Sequence, residues 1–166
     1  MMKSGWKPPG IEGHLPIGAL VHSYLVADYR WQHDGDWHDL RLGLPAPALE
    51  MLCPEVQTFG LLSAWNPHSI KFSEIDNRNA DHALHDDLND TGLHYCAAFA
   101  SAPNRSWREP SWIVAGMAVE DFDALSRYYG QLGTIWWNRG ELARLRIDAA
   151  RPADFAHDES SIDWLK

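Results

Sequence analysis

The chain has 166 residues, a formal net charge of −9, and a residue set that is 45% hydrophobic. That is the size of one ordinary domain with enough apolar material to build a core. The excess of acid disfavours a general nucleic-acid binder and a protein that rests on an acidic membrane, since both need a basic face.

Two cysteines, Cys53 and Cys96, are too few for a disulfide framework and read as reduced, buried thiols. No run is long and apolar enough to span a bilayer, and the opening MMKSGWKPPG lacks the apolar centre of a secretory leader. The expected location is the cytoplasm.

Residues 1–15 carry Gly, Pro and charge and are expected to be irregular. IGALVHSYLVA (17–27) reads as a short helix. A hairpin follows, with strands near 28–33 and 37–43 around His33-Asp34-Gly35-Asp36, because Asp-Gly is a strong turn signal. Pro45 and Pro47 break the chain, and 47–53 make a short helix stopped by Pro54. Residues 58–65 are apolar or small on both alternating sets, which predicts a central strand covered on both faces. Pro67 ends it and biases Asn66 toward extended backbone. Ser73 is an N-cap for a helix over 74–90, with Glu74 and Asp76 in the first turn, an apolar stripe from Ile75 to Leu88, and Gly92 as the stop. Residues 93–100 and 110–116 read as a strand pair with a long polar loop. Val119, Phe122, Leu125 and Tyr129 give a helix over 119–130, and strands follow at 132–137 and 142–147.

From residue 58 the order is β-α-β-β-α-β. This predicts an α+β fold with a ferredoxin-like split βαβ core over residues 58–137, extended by an N-terminal helix and hairpin and an extra C-terminal strand. Another α+β sheet with helices on one face is the alternative. Residues 1–148 read as a single domain and 149–166 as a loose acidic tail.

In that topology the first core strand is central and antiparallel to both neighbours. Its C-terminal end then lies beside the starts of its neighbours. This brings Asn66, Glu109, Ser111 and Gln131 to one end of the sheet, together with Asn77 and Glu74 from the first turn of the next helix. Trp65, Trp107, Trp112 and Tyr128 are the candidate lining. A few convergent polar groups on an apolar floor is what a small-molecule site requires. The competing reading is structural: Asn66 serves a turn, Glu109 caps a helix or pairs with Arg78 or Arg108, and Gln131 ends a helix.

At these residues the chain resembles a known family. AWNPHS, then Asn77 within the next helix, then WREPSWIVAG, then YYGQLGTIWW are similar to the bacterial family catalogued as domain of unknown function 3293. The family pattern falls here on Asn66 and Pro67, Asn77, Glu109 and Ser111, and Gly130 with Gln131, within residues 17–147. The resemblance implies that these polar positions belong to one plan. It brings no activity, cofactor or partner with it.

Other constellations read as structural. His82 and His85 sit three apart on a helix near Asp81, Asp86 and Asp87, but two side chains at that spacing make no closed metal site, and no metal is expected. The stretch HDGDWHD lacks the full spacing of a calcium loop. There is no phosphate-cradling Gly-rich loop and no nucleophile elbow, and no cofactor is expected. Trp136 and Trp137 point to opposite faces of one strand, and core packing is the preferred reading of both over an exposed binding surface.

The first functional expectation is a site for a small polar or nucleotide-like metabolite, with Asn66, Asn77, Ser111 and Gln131 binding the ligand and Glu109 as the sole sensible acid or base. The alternative is an acidic protein-interaction module that regulates or neutralises a basic partner, for which the net charge and the tail argue.

Overall fold

The computed structural model describes residues 16–155 and 160–166, so the irregular start expected over 1–15 lies outside the described residues. The elements in chain order are α1 (Ile17–Val26), β1 (Asp28–His33), β2 (Asp36–Leu40), α2 (Pro47–Leu52), β3 (Thr58–Leu62), α3 (Glu74–Thr91), β4 (His94–Ser101), β5 (Arg108–Ala115), α4 (Val119–Tyr128), β6 (Gly133–Asn138), β7 (Arg144–Ile147) and β8 (Ile162–Trp164). The strands form one sheet in the order β2-β1-β4-β5-β3-β6-β7-β8. Every neighbouring pair is antiparallel except β7 and β8, which run parallel. The fold is α+β with a mixed sheet.

Strand β3 is central because neither of its faces tolerates water. Phe59, Leu61 and Leu62 are all buried, and the strand lies between β5 and β6. Its two side-chain sets go to different layers, as the alternation of a strand demands. Phe59 and Leu61 join Tyr29, Ala100, Ile113, Ile135 and Trp137 under α2. Leu62 joins the apolar stripes of α3 (Ala80, Ala83, Leu84, Leu88) and α4 (Phe122, Leu125). Helix α1 covers β7 on the α2 side through Val21, Leu145 and Ile147. The sheet is therefore sandwiched between α1 with α2 and α3 with α4.

The hydrogen-bonded part of β3 stops at Leu62, three residues short of the strand expected over 58–65. The register puts Ser63 and Ala64 beside Ser111 and Pro110, and Pro110 has no N–H to give. The Ser63 hydroxyl takes over instead. It donates to the Pro110 carbonyl at 2.8 Å and accepts from the Trp65 N–H at 2.9 Å.

The hairpin turns at Asp34 and Gly35, whose φ angles of 50° and 83° match the turn that two-residue hairpins favour. Helix α3 is capped at Ser73, whose hydroxyl accepts the Asp76 N–H, and it stops at Gly92 in the left-handed region. Trp136 and Trp137 are both buried, against Phe122 and Phe59 respectively. Cys53 and Cys96 are free thiols, the first buried and the second partly so.

The acidic tail departs from its expected looseness. Residues 162–164 pair in parallel with β7, and Phe155 and Ile162 are buried beside Val21, Leu145 and Ile147. Arg144 grips Asp163 through two hydrogen bonds of 2.9 Å. The last strand of the sheet is thus contributed by a segment whose sequence has no period to announce it. Among the described residues, no helix is long and apolar enough to cross a membrane.

Candidate functional site

Beyond Leu62 the chain leaves the sheet and bends sharply. Asn66 adopts a left-handed conformation at φ 44°, followed by a short 3-10 turn, Pro67–Ser69, in which His68 and Ser69 are also left-handed at φ 60°. Bends of this kind persist when side chains hold them, and two asparagines do so here. The Asn66 N–H donates to Asn77 Oδ1 at 2.8 Å, and Asn77 Nδ2 donates to Asn66 Oδ1 at 2.8 Å. Asn66 Oδ1 also accepts the Phe72 N–H at 3.0 Å, and Asn77 Nδ2 reaches the Phe72 carbonyl at 3.4 Å. Asn77 is buried and spends its amide on the bend, which shapes the wall of the site.

That bend closes one side of a cavity of about 630 Å³. Leu61, Ala100, Ile135 and Leu145 lie among its apolar lining, and Ser23 and Tyr24 bring α1 to it. Trp65, Phe72 and Trp107 bring aromatic rings. All five expected residues, Asn66, Asn77, Glu109, Ser111 and Gln131, line the same cavity. Trp112 and Tyr128, expected as lining, do not. Trp112 is one residue past Ser111 and so faces the other layer, where its indole N–H donates to Asp81 at 2.9 Å. Tyr128 sits on α4, which belongs to that same layer, against Tyr129.

Glu109 is the titratable centre. Asn66 Nδ2 donates to its Oε1 at 3.1 Å, while Oε2 accepts no hydrogen bond among the described residues. Neither expected cation reaches it: Arg78 pairs with Glu74 at 2.7 Å, and the Arg108 guanidinium lies 4.0 Å from the centre of the Phe99 ring. Burial without a cation raises the Glu109 carboxyl from the usual carboxylate range to about 7, and the Asn66 hydrogen bond offsets only part of that. Burial likewise pushes Tyr24 up to about 12 and raises Tyr29 further, so both stay phenols. The Tyr24 hydroxyl is held by Ser69 Oγ, and Tyr29 donates to the Tyr24 carbonyl.

Gln131 is positioned by two donations from Nε2, to the carbonyls of Trp65 and Tyr129, both at 3.2 Å. Its Oε1 has no partner among the described residues. Ser111 is buried and donates to the Glu109 carbonyl at 3.2 Å. The five residues therefore divide. Asn66, Asn77 and Ser111 are committed to holding the backbone and Glu109, whereas Glu109 Oε2 and Gln131 Oε1 are free acceptors.

A sequence-family model described as "Protein of unknown function (DUF3293)" matches residues 62–133. The chain resembles this family. The DUF3293 stretch supplies every polar position of the expected site, from Asn66 to Gln131. The aromatic wall of Tyr24 and Tyr29, and the floor residue Leu145, come from outside it. No curated protein and no solved structure matches the chain.

Sequence reasoning missed Ser23, Tyr24 and Tyr29. The signal available was the run His22-Ser23-Tyr24 interrupting an otherwise apolar helix. Among the described residues, no three His, Cys, Asp or Glu side chains gather to hold a metal ion. His85 packs in a cluster with Tyr95 and Trp112, with ring centres 5.4 and 4.9 Å away.

Proposed function

We propose that the protein binds a small polar or nucleotide-like metabolite in the cavity at the end of β3. We read the core β3-α3-β4-β5-α4-β6, with strands ordered β6-β3-β5-β4 and all neighbours antiparallel, as a ferredoxin-like split βαβ unit. The observation that carries the functional reading is Glu109: an acid on the wall of a ligand-sized cavity, with one oxygen unpartnered and no ion pair among the described residues. Glu109 is half-buried, and its free oxygen opens onto the cavity, where it is available to accept from whatever the cavity holds. Glu109 and Gln131 present acceptors to the ligand; Asn66, Asn77 and Ser111 hold the Glu109 side, and the Trp65 and Tyr129 carbonyls hold Gln131. If the bound molecule reacts, Glu109 is the group that exchanges a proton with it, since an acid titrating near neutrality serves either direction. The nearby Ser111 hydroxyl is spent on the Glu109 carbonyl, so binding is the primary reading.

The test is a thermal-shift screen of the wild type and Glu109→Gln against a broad metabolite panel. A ligand that raises the unfolding temperature of the wild type but not of the variant supports the site. Absence of any shift, combined with strong destabilisation of the variant, would make Glu109 a structural group and remove the reading. The interaction-module alternative has less support, because part of the acidic tail is tied into the sheet through Ile162 and Asp163.

A further inference from the structure

The tryptophans separate the cavity from the rest of the molecule. Six of the described ones are in ring contact with another aromatic side chain: Trp31 with His38, Trp37 with Phe99, Trp112 with His85, Trp136 with Phe122, Trp137 with Phe59 and Trp164 with Phe155, at centre distances between 4.6 and 5.4 Å. Trp65 and Trp107 make no ring contact among the described residues, and both line the cavity. Indole faces are electron-rich surfaces that favour rings or cations as neighbours. The two left without such a neighbour among the described residues border the same cavity as the free oxygens of Glu109 and Gln131.

Size and edge chemistry narrow the occupant. A cavity of about 630 Å³ is in the range of sites that enclose a whole metabolite, and it is roomier than a single ammonium group needs. Two free side-chain atoms on the polar wall, Glu109 Oε2 and Gln131 Oε1, accept hydrogen bonds when the acid is ionised, and the Lys71 ammonium on the same lining adds a donor. When it is protonated, Glu109 also donates one.

We infer that the cavity takes a flat nitrogen heterocycle bearing N–H groups on its edge, the chemical class of nucleobases and pterins, with its face against Trp65 or Trp107 and its edge toward Glu109 and Gln131. This rests on the reading of the cavity as a small-molecule site and adds the class of molecule. Stacking supplies affinity that tolerates many rings, and the edge contacts supply selection among them. The proton on Glu109 adjusts that selection: ionised, its free Oε2 takes an N–H donor, and protonated, it gives a hydrogen bond to a ring acceptor.

The experiment is titration calorimetry and tryptophan-fluorescence quenching of the full chain at pH 6 and pH 8. The probes are guanosine, adenosine, cytidine and pterin, set against ring-free molecules: ribose, glutamate and glycerol phosphate. At least one heterocycle is expected to bind and quench. Its affinity is expected to fall about tenfold in Trp107→Leu, the scale of one stacked ring, and by a similar factor in Glu109→Gln. Trp65→Leu serves if Trp107→Leu does not fold, as judged by circular dichroism. Binding of ring-free molecules alone would overturn the heterocycle class and leave the small-molecule reading standing. Binding of neither kind would remove both. A heterocycle that binds unaffected by all these substitutions would place its site elsewhere and overturn the proposal.

Discussion

Glu109 behaves as it does because β5 carries it into a wall lined by phenols and indoles, with an amide in place of a cation as its partner. The linkage follows from the direction of its shift. Below about pH 4.5 the acid is protonated in the folded and the unfolded chain alike, and its proton favours neither state. Between about 4.5 and about 7 the unfolded chain has released the proton while the folded chain still binds it, so rising pH favours unfolding. Above that window both forms are ionised, and the folded state carries the whole burden, at most about 3 kcal/mol for a shift of this size. Glu109→Gln has no proton to lose. The wild type is therefore expected to lose stability relative to the variant as pH rises from 4.5 to 8, measured as the difference in urea-unfolding free energy at each pH. A difference that stays flat across the range would show that the carboxyl is solvated like an ordinary surface acid.

At the scale of elements, the bend between β3 and α3 is what turns a strand end into a cavity wall. It is held from one side by the Asn66–Asn77 pair and from the other by Gly130, whose carbonyl accepts the His68 N–H at 2.6 Å. Gly130 sits at φ 68°, and a Cβ there would lie 2.8 Å from Pro67 Cβ and 3.0 Å from His68 Nε2. Gly130→Ala therefore adds both backbone strain and a clash, and is expected to cost about 2–4 kcal/mol while displacing the bend. The check is a lowered unfolding midpoint together with a weakened ligand shift; an unchanged midpoint would mean that the bend does not lean on this glycine. Much of this was legible beforehand. Ser73 marked the helix start, and the antiparallel order put Asn66, Glu109 and Gln131 at one edge, although β3 itself ends at Leu62 and not at Asn66-Pro67. Two things were not. Strand alternation sends Trp112 to the layer opposite Ser111, so nearness in sequence misled. The sheet face that α1 covers depends on long-range packing, such as Tyr24 against Gly133, which no local pattern encodes.

For the whole molecule, the decisive long-range contact is the return of the tail. Its three-residue strand has no amphipathic period, and its pairing with β7 is parallel across an intervening connection, so sequence patterning had nothing to register. Yet Phe155 and Ile162 complete the cluster in which Val21 anchors α1, and α1 brings Ser23 and Tyr24 to the cavity. Leu145 belongs to both the cluster and the cavity lining. Loosening the tail should thus be felt at the ligand site without touching Glu109. Ile162→Ala removes most of a buried side chain and is expected to cost about 2–5 kcal/mol. Deletion of residues 150–166 additionally exposes Phe155's neighbours and breaks the Arg144–Asp163 pair, and is expected to lower the unfolding temperature further and to abolish any ligand shift. The series wild type, Ile162→Ala and deletion, followed by thermal unfolding with and without the ligand from the metabolite panel, should show stability and ligand shift declining together. A deletion variant that unfolds at the wild-type temperature and keeps the full shift would mean that β8 is dispensable, and that α1 is held against the sheet by Val21, Leu145 and Ile147 alone.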